Sequence, residues 1–169
     1  YGVYKRANEG TAGVYWEDAG LASVGLRPFA VYGPGRDQGL TSEPTKAMLA
    51  AAAGLPFEIS FAGTMQFQYA SDVAQAFIRA AVEPLDGAYV FNLGTPPVRV
   101  EQVAAIISAL RPNTHVRVVQ RRLPFPDGFD DAALKARFPD LPETPLETGI
   151  RETIERFEAC LADGRLAAV

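Results

Sequence analysis

The sequence predicts an α/β fold, because helix and strand patterns alternate along the chain and glycine or proline residues mark the breaks between them. Apolar residues recur at helical spacing from Tyr1 to Ala19 and Gly20 is placed as a C-cap, so a first helix is expected here. The short apolar segment from Ala22 to Phe29 predicts a strand covered on both faces. A helix that leads directly into such a strand is typical of layered α/β packing.

The middle of the chain continues this alternation. A second helix is expected from Ser42 to Gly54, with Pro44 in its first turn. Two β-like segments follow, Phe57 to Phe61 and Met65 to Tyr69. Because Ala62-Gly63-Thr64 between them reads as a tight turn, we expect the two segments to pair as a hairpin.

The second half of the chain is expected to alternate in the same way. Its predicted elements are a helix from the N-cap Ser71 to about Val82, a strand from Tyr89 to Leu93, a helix from Val100 to Leu110 and a strand from Val116 to Val119. The run Thr144-Pro145-Leu146-Glu147 matches a capping box, with threonine as the N-cap and glutamate at the third helical position. A final amphipathic helix is therefore expected to begin there.

Composition and charge exclude several classes of protein. The chain has 169 residues, of which 48% are hydrophobic, so it is long enough for one compact domain. It has 20 acidic and 16 basic residues and no basic cluster, so no nucleic-acid partner is expected. The longest apolar run, Ala47 to Ala53, is far shorter than the roughly 20 residues that span a bilayer, so we expect no membrane partner and a cytoplasmic location. Cys160 and His115 each stand alone, which predicts no disulfide and no metal site.

Tyr1 and Lys5 are the pair of residues that first suggests chemistry. They stand four residues apart and would project from the same face of a helix. A phenol has a pKa of about 10 in water and a neighbouring ammonium stabilises the phenolate, so such a pair can exchange a proton with a substrate hydroxyl. The same spacing arises by chance in roughly one in a few chains of this size, so its weight depends on the surrounding sequence.

The surrounding motifs supply that context. Tyr1-Gly2-Val3-Tyr4-Lys5 is followed by Glu9, Gly25-Leu26-Arg27-Pro28 and Val31-Tyr32-Gly33-Pro34-Gly35-Arg36. Later motifs are Phe67-x-Tyr69-x-x-Asp72-Val73-Ala74, Phe91-Asn92-Leu93-Gly94 and the tail from Thr144 to Ile154. In order and spacing, these motifs resemble the extended short-chain dehydrogenase/reductases, the NAD-dependent epimerase/dehydratase family, over the whole chain.

The resemblance implies the carboxy-terminal part of a Rossmann-type doubly wound sheet plus a small α/β substrate-binding region, with the amino-terminal dinucleotide-binding half absent. Residues from about 1 to 35 would be the last part of the Rossmann core, and those from about 36 to 169 mainly the substrate-binding region with interleaved Rossmann elements. The chain begins at Tyr1 and has no Gly-x-x-Gly-x-x-Gly loop. A longer parent is therefore expected, and the fragment alone is expected to bind cofactor poorly and to be inactive.

Carried over residue by residue, the resemblance assigns Tyr1 as the general acid/base in a reaction with NAD or NADP. Lys5 would assist the tyrosine and hydrogen-bond the nicotinamide ribose. The backbone after the first strand would pass the nicotinamide, although a proline-interrupted strand end explains that segment equally well. The cofactor-binding residues implied in this way are Tyr1, Lys5, Pro28, Phe29, Ala30 and Val31. In relatives the helix with the tyrosine packs in a dimer interface, which implies a homodimer for the intact protein.

Two departures from the family pattern bear on the substrate. Relatives that act on nucleotide sugars often have asparagine or threonine where this chain has Ala30, and an arginine that reaches the diphosphate where it has Met65, so the resemblance places Ala30 and Met65 at the substrate site. Because an unpaired diphosphate in a cleft is costly, we expect a smaller substrate with a hydroxyl or carbonyl, such as a sugar, sugar acid or related polyol. Arg36 could bind its carboxylate or be only a solvated surface arginine, and Gln38 is a weaker candidate for substrate binding.

Three functions therefore stay open. The first is an oxidoreductase or epimerase that acts on such a small substrate. The second is a nucleotide-sugar epimerase or dehydratase, in which Arg36 or another basic residue replaces the diphosphate contacts. The third is a non-catalytic NAD(P)-binding regulator, against which the presence of both Tyr1 and Lys5 argues. Asp72 is expected to be a carboxylate in a first helical turn rather than a catalyst.

Overall fold

A computed structural model describes residues 1–167, in which helices and strands alternate along the chain. The helices are α1 (Gly2–Ala19), α2 (Glu43–Ala52), α3 (Ala70–Val82), α4 (Val100–Leu110), α5 (Ala132–Arg137) and α6 (Leu146–Ala162). The strands are β1 (Ser23–Arg27), β2 (Ala30–Tyr32), β3 (Phe57–Ile59), β4 (Thr64–Tyr69), β5 (Ala88–Asn92), β6 (Pro97–Arg99) and β7 (Val116–Val118).

Most of the strand pairs are parallel. β1 pairs with β5, with Ser23 opposite Ala88. β4 pairs in parallel with β2 on one side and antiparallel with β6 on the other, and β3 pairs in parallel with β7. Parallel strands joined by helices confirm the predicted α/β fold class.

The hairpin expected between β3 and β4 is wrong. β3 pairs with β7, where Phe57 lies opposite Val116, and β4 pairs with β2, where Ala30 lies opposite Phe67. Gly63, whose φ of 123° favours glycine, lies in the turn between the two strands. Each strand satisfies its backbone in a parallel ladder with a strand distant in sequence, so this turn joins two sheets instead of closing a hairpin.

The main hydrophobic core contains side chains from β2, β4 and the helices α2, α4 and α6. Its buried members include Tyr32, Met48, Phe61, Met65, Ile107 and Ile154. A second and smaller cluster joins β5 to α3 and α5 through Val73, Phe91, Leu134 and Phe138. No residue of α1 is buried, so this helix lies outside both clusters.

Helix α6 comes into close contact with β2 at Gly149 and Tyr32. Gly149 is buried, and a Cβ atom placed there would overlap the hydroxyl oxygen of Tyr32. Tyr32 is 2% exposed, and its hydroxyl donates a hydrogen bond to the carbonyl of Leu146 at 3.5 Å. Burial raises the pKa of Tyr32 well above its usual range, so the phenol stays neutral and keeps its donor. The helix can lie this close to the sheet because residue 149 has no side chain.

The capping box expected at the start of α6 is also wrong. The helix begins at Leu146, and Thr144 instead contacts α3: its backbone N–H and its hydroxyl donate to the two carboxylate oxygens of Asp72, at 2.7 and 2.9 Å. Asp72 lies in the first turn of α3, as predicted, whereas Ser71 lies inside that helix and is not its N-cap. A carboxylate accepts hydrogen bonds more strongly than a neutral partner, which explains why Thr144 is drawn to Asp72.

Candidate active site

Tyr1 and Lys5 lie side by side at the start of α1. The Tyr1 carbonyl accepts a hydrogen bond from the Lys5 backbone N–H at 3.2 Å, so the first helical turn stacks one residue above the other. The Lys5 ammonium nitrogen lies 5.2 Å from the centre of the Tyr1 ring, and Tyr1 is 90% exposed. The structure confirms that the two side chains share one helix face, while their acid/base role stays a prediction.

This pair borders a cleft of about 1130 Å³. Residues of α1 line one side of the cleft, and residues of β1 and β5 line another. Pro28, which follows the carboxyl end of β1, and Phe129, from a later loop, also line it. The cleft runs along the whole length of β1 and the first half of β5, and Tyr1, Lys5 and Pro28 border it near the carboxyl end of β1.

An ion pair holds α1 against the end of β1. The Arg27 guanidinium donates two hydrogen bonds to the Glu9 carboxylate, at 2.6 and 2.5 Å. This bidentate pairing lowers the pKa of Glu9 below its ordinary value. Since α1 buries no side chain against the sheet, this ion pair is an important contact between the helix with Tyr1 and β1.

Replacing Glu9 with glutamine is expected to loosen α1 from β1, because a neutral amide cannot form the bidentate ion pair. Hydrogen exchange of the α1 amides should become faster than in the wild type. The control is Glu17→Gln, which changes an exposed carboxylate on the same helix. Equal exchange in all three proteins would show that the ion pair does not hold the helix.

The same ion pair predicts a pH dependence of α1. The pKa of Glu9 is lowered in the folded chain, so the stabilisation is complete at neutral pH and is lost as the pH falls through this lowered value, below the ordinary 4.5. Exchange of α1 amides, corrected for the intrinsic rate, should therefore rise in acid in the wild type. The rise should be smaller in Glu9→Gln, and an equal rise in both proteins would contradict the assignment.

The segment predicted to pass the nicotinamide runs from the end of β1 into the first two residues of β2. Pro28 is exposed and lines the cleft, Phe29 and Val31 are half-buried, and the Ala30 side chain is fully buried. The Phe29 backbone N–H is already taken, because it donates to the side-chain oxygen of Gln68 at 2.8 Å. Of the four side chains, Pro28 thus offers the surface that a ligand in the cleft can reach, and the cofactor contact stays a prediction.

The four predicted substrate residues divide into two pairs. Ala30 and Met65 are 0% and 2% exposed and belong to the main core. Arg36 and Gln38 lie in the loop after β2, where Arg36 donates to the Thr41 hydroxyl at 3.2 Å. Arg36 is therefore engaged by its own loop. A substrate role for these residues stays a prediction.

Two residues at these sites, Phe129 and Arg122, were not predicted from the sequence because they belong to no recognised motif. Phe129 lines the cleft with Tyr1, and Arg122 lines a recess of about 100 Å³ together with Met65. The Arg122 side chain is 75% exposed, and its nearest carboxylate is that of Asp127, at 3.8 Å. In the sequence these residues flank a proline-rich loop, which indicates no role for either of them.

Neither a metal site nor a membrane span is found in residues 1–167. Nowhere in this part of the chain do three or more His, Cys, Asp or Glu residues come together as a possible metal site. In the same residues, every helix is too short or too polar to cross a membrane.

The fold and the cleft beside the Tyr–Lys helix define part of a Rossmann-type α/β protein. Residues 1–94 match the model of the NAD dependent epimerase/dehydratase family. The chain therefore belongs to this family, as its motifs predicted.

Individual relatives agree with the family. The chain is 30% identical to an uncharacterized 37.6 kDa protein of Escherichia coli O111:H-, with 93% of this chain and 53% of the relative aligned. Among solved structures, MoeE5 in complex with UDP-glucose and NAD is 30% identical with a TM-score of 0.78, and 95% of this chain covers 56% of it. A partial consensus L-threonine 3-dehydrogenase has a TM-score of 0.83 at 21% identity, with 94% and 56% covered. The chain spans about half the length of the relatives it matches.

Proposed function

We propose that this chain is part of an NAD(P)-dependent oxidoreductase or epimerase that acts on a hydroxyl or carbonyl group of a sugar, sugar acid or related polyol. The observation that carries the proposal is the exposed Tyr1–Lys5 pair at the edge of a cleft that runs along β1. Membership of the NAD dependent epimerase/dehydratase family supports it.

In this reaction Tyr1 moves the proton. Its phenolate takes the proton of a substrate hydroxyl when that carbon is oxidised, and the phenol formed in this way returns the proton when the carbonyl is reduced. The ammonium of Lys5, next to the ring, stabilises the phenolate that accepts this proton. A bound nicotinamide would accept the hydride in the oxidation and donate it in the reduction.

The residues around the cleft fit the nicotinamide end of such a cofactor. Lys5 offers a donor for a ribose hydroxyl, and Pro28 and Phe129 offer apolar surfaces for a planar ring. The sequence contains no glycine-rich phosphate loop, so we propose that the rest of the dinucleotide is held mainly by residues outside this chain. The chain by itself would then be inactive.

The test is turnover by the full-length protein that contains this chain. NAD⁺ reduction would be followed by absorbance with free sugars, sugar acids and polyols, and with UDP-glucose, UDP-glucuronic acid and L-threonine for comparison. Reduction with the free sugar compounds is the expected result. Absence of any reaction, including epimerisation of the nucleotide sugars, would overturn the proposal, and turnover by the 169-residue chain alone would overturn its inactivity.

A nucleotide sugar is the second candidate substrate, and Arg122 favours it. This largely exposed arginine lines the same recess as Met65. Met65 stands at the position where relatives that act on nucleotide sugars often have an arginine that contacts the diphosphate. The 30% identical MoeE5 was solved with UDP-glucose and NAD.

UDP binding to the full-length protein separates the two candidates. If the substrate is a nucleotide sugar, calorimetry should detect UDP binding, and Arg122→Ala should weaken it by roughly tenfold through loss of a charge-assisted contact. Arg117→Ala, at an exposed arginine of β7, is the matched control. No UDP binding by the wild type would exclude this candidate.

A homodimer is also proposed for the intact protein, with α1 at the interface. No residue of helix α1 is buried, and the helix exposes several large apolar side chains to solvent. Those that do not line the cleft are Tyr4, Val14 and Tyr15. Such a surface is more costly on a monomer than in a contact between subunits.

A further inference from the structure

Strand β4 carries two buried glutamines on one face. Gln66 and Gln68 are two residues apart in the strand, so their side chains point to the same side. They are 5% and 4% exposed. A buried carboxamide is costly without hydrogen-bond partners, and each of these two side chains finds partners in the backbone of loops beside the cleft.

Gln66 binds the backbone of a single residue, Phe129. Its side-chain nitrogen donates to the Phe129 carbonyl at 3.0 Å, and its side-chain oxygen accepts from the Phe129 N–H at 2.8 Å. A carboxamide has the same donor and acceptor as a peptide group, so Gln66 pairs with Phe129 as a neighbouring strand would. At the preceding residue, a Cβ atom on Gly128 would lie only 2.8 Å from the Gln66 carboxamide carbon. Residue 128 must be small for this contact to form.

Gln68 makes the second contact, at the ends of the strands that border the cleft. Its oxygen accepts from the Phe29 N–H at 2.8 Å and its nitrogen donates to the Leu93 carbonyl at 3.0 Å. Phe29 follows β1 and Leu93 follows β5, so Gln68 ties together the loops after two parallel strands. Gln66 then adds a third segment to this group of loops.

The third segment has little structure of its own. Residues 123–131 form no helix and no strand, yet Phe129 from this segment lines the cleft that Tyr1 and Lys5 border. The Phe129 ring packs on Phe29 with 5.1 Å between ring centres. Besides this packing, the segment is held near Phe129 by Gln66 and by Asn92, whose amide donates to the Asp130 carbonyl at 3.1 Å.

We propose that Gln66 is a positioning residue that fixes Phe129 as a wall of the cleft and so sets the space available to the substrate. The proposal deepens the proposed function and rests on it where it concerns substrate binding. Gln66 itself is absent from the lining of the cleft, so it acts through Phe129. Its effect is expected on the KM for the substrate rather than on the proton transfer at Tyr1.

Two measurements on the full-length protein test the proposal. The first is hydrogen exchange of the segment from 125 to 131, which needs no activity. In Gln66→Leu, exchange at Phe129 should be about tenfold faster, because its N–H loses its acceptor. Gly128→Ala serves as a second variant, since its Cβ would obstruct the same contact while the Gln66 side chain is kept. Gln75→Leu, at an exposed glutamine of α3, is the control.

The second measurement is steady-state kinetics with the compound from the turnover panel that the wild type converts. For both Gln66→Leu and Gly128→Ala, KM should rise about tenfold while kcat changes less than about threefold. Unchanged exchange at 125–131 in both variants overturns the positioning role. Faster exchange with an unchanged KM overturns the link between Gln66 and the space in the cleft. If the wild type shows no turnover, the proposed function is overturned, and the exchange measurement alone decides whether Gln66 positions Phe129.

Discussion

Replacing Tyr1 with phenylalanine in the full-length protein is expected to lower kcat by about 10²- to 10⁴-fold, the contribution typical of a general acid/base. The phenol oxygen is the group proposed to move the proton, and phenylalanine keeps the ring without this oxygen. Tyr1 is 90% exposed, so the loss of its hydroxyl should leave the unfolding free energy unchanged. The measurement is NAD(P)H formation with the best substrate of the panel, together with NADH binding by fluorescence, which should stay within a factor of about two.

The matched control for this experiment is Tyr4→Phe. Tyr4 lies on the same helix and is 76% exposed, but it is not among the residues that line the cleft. Its substitution should leave kcat within a factor of about two of the wild type. If Tyr1→Phe retained full turnover, Tyr1 would not be the acid/base, and if the wild type bound NADH without converting any compound, the non-catalytic regulator would become the better interpretation.

Replacing Gly149 with alanine is expected to destabilise the fold by about 1–3 kcal/mol, as overpacking does in a filled core. In an unobstructed helix the same change stabilises by about 0.5–1 kcal/mol, because alanine loses less conformational entropy. Here the new methyl group would overlap the Tyr32 hydroxyl, which is buried between α6 and β2. The free energy of unfolding, measured with urea, decides between the two signs.

Two further variants identify the cause of this loss. Gly13→Ala is the control, since it lies in α1 with no atom within 4 Å of the new Cβ and should be neutral or stabilising. Adding Tyr32→Phe to Gly149→Ala should recover part of the loss, because the overlapping oxygen is removed while a ring carbon stays 3.0 Å from the Cβ position. Equal stability of Gly149→Ala and the wild type would show that α6 can move away without cost.

The elements that were predicted from sequence are those with a local signal. Helix α1 ends at Gly20, which adopts φ of 65° as a C-cap, and α4 begins and ends at the predicted residues. β2, β6 and α5 were not predicted; they have three, three and six residues, and the equally short β3 and β7 were predicted because each lies in a longer β-like segment of the sequence. The wrong hairpin and the wrong capping box share one cause, because in both places a partner far away in sequence replaced the local one.

In the candidate site, too, local contacts could be predicted from the sequence and long-range contacts could not. The spacing of Tyr1 and Lys5 is enough to place them on one face of a helix, and the Arg27–Glu9 ion pair joins two residues that belong to the same set of motifs. The role of Phe129 at the cleft was not predictable. It depends on a contact with Gln66 across 63 positions of the chain, and a single sequence carries no signal for such a pair.

Helix α1 carries Tyr1 and Lys5, yet none of its side chains is buried. The residues proposed for chemistry and the residues that stabilise the fold are therefore largely different sets. Substitutions on α1 away from the Glu9–Arg27 pair are expected to cost little folding free energy in this chain, whereas substitutions in the two clusters are expected to cost more. Substitutions on α1 can therefore change the proposed chemistry with little effect on the two clusters, and the Glu9–Arg27 contact joins the two sets of residues.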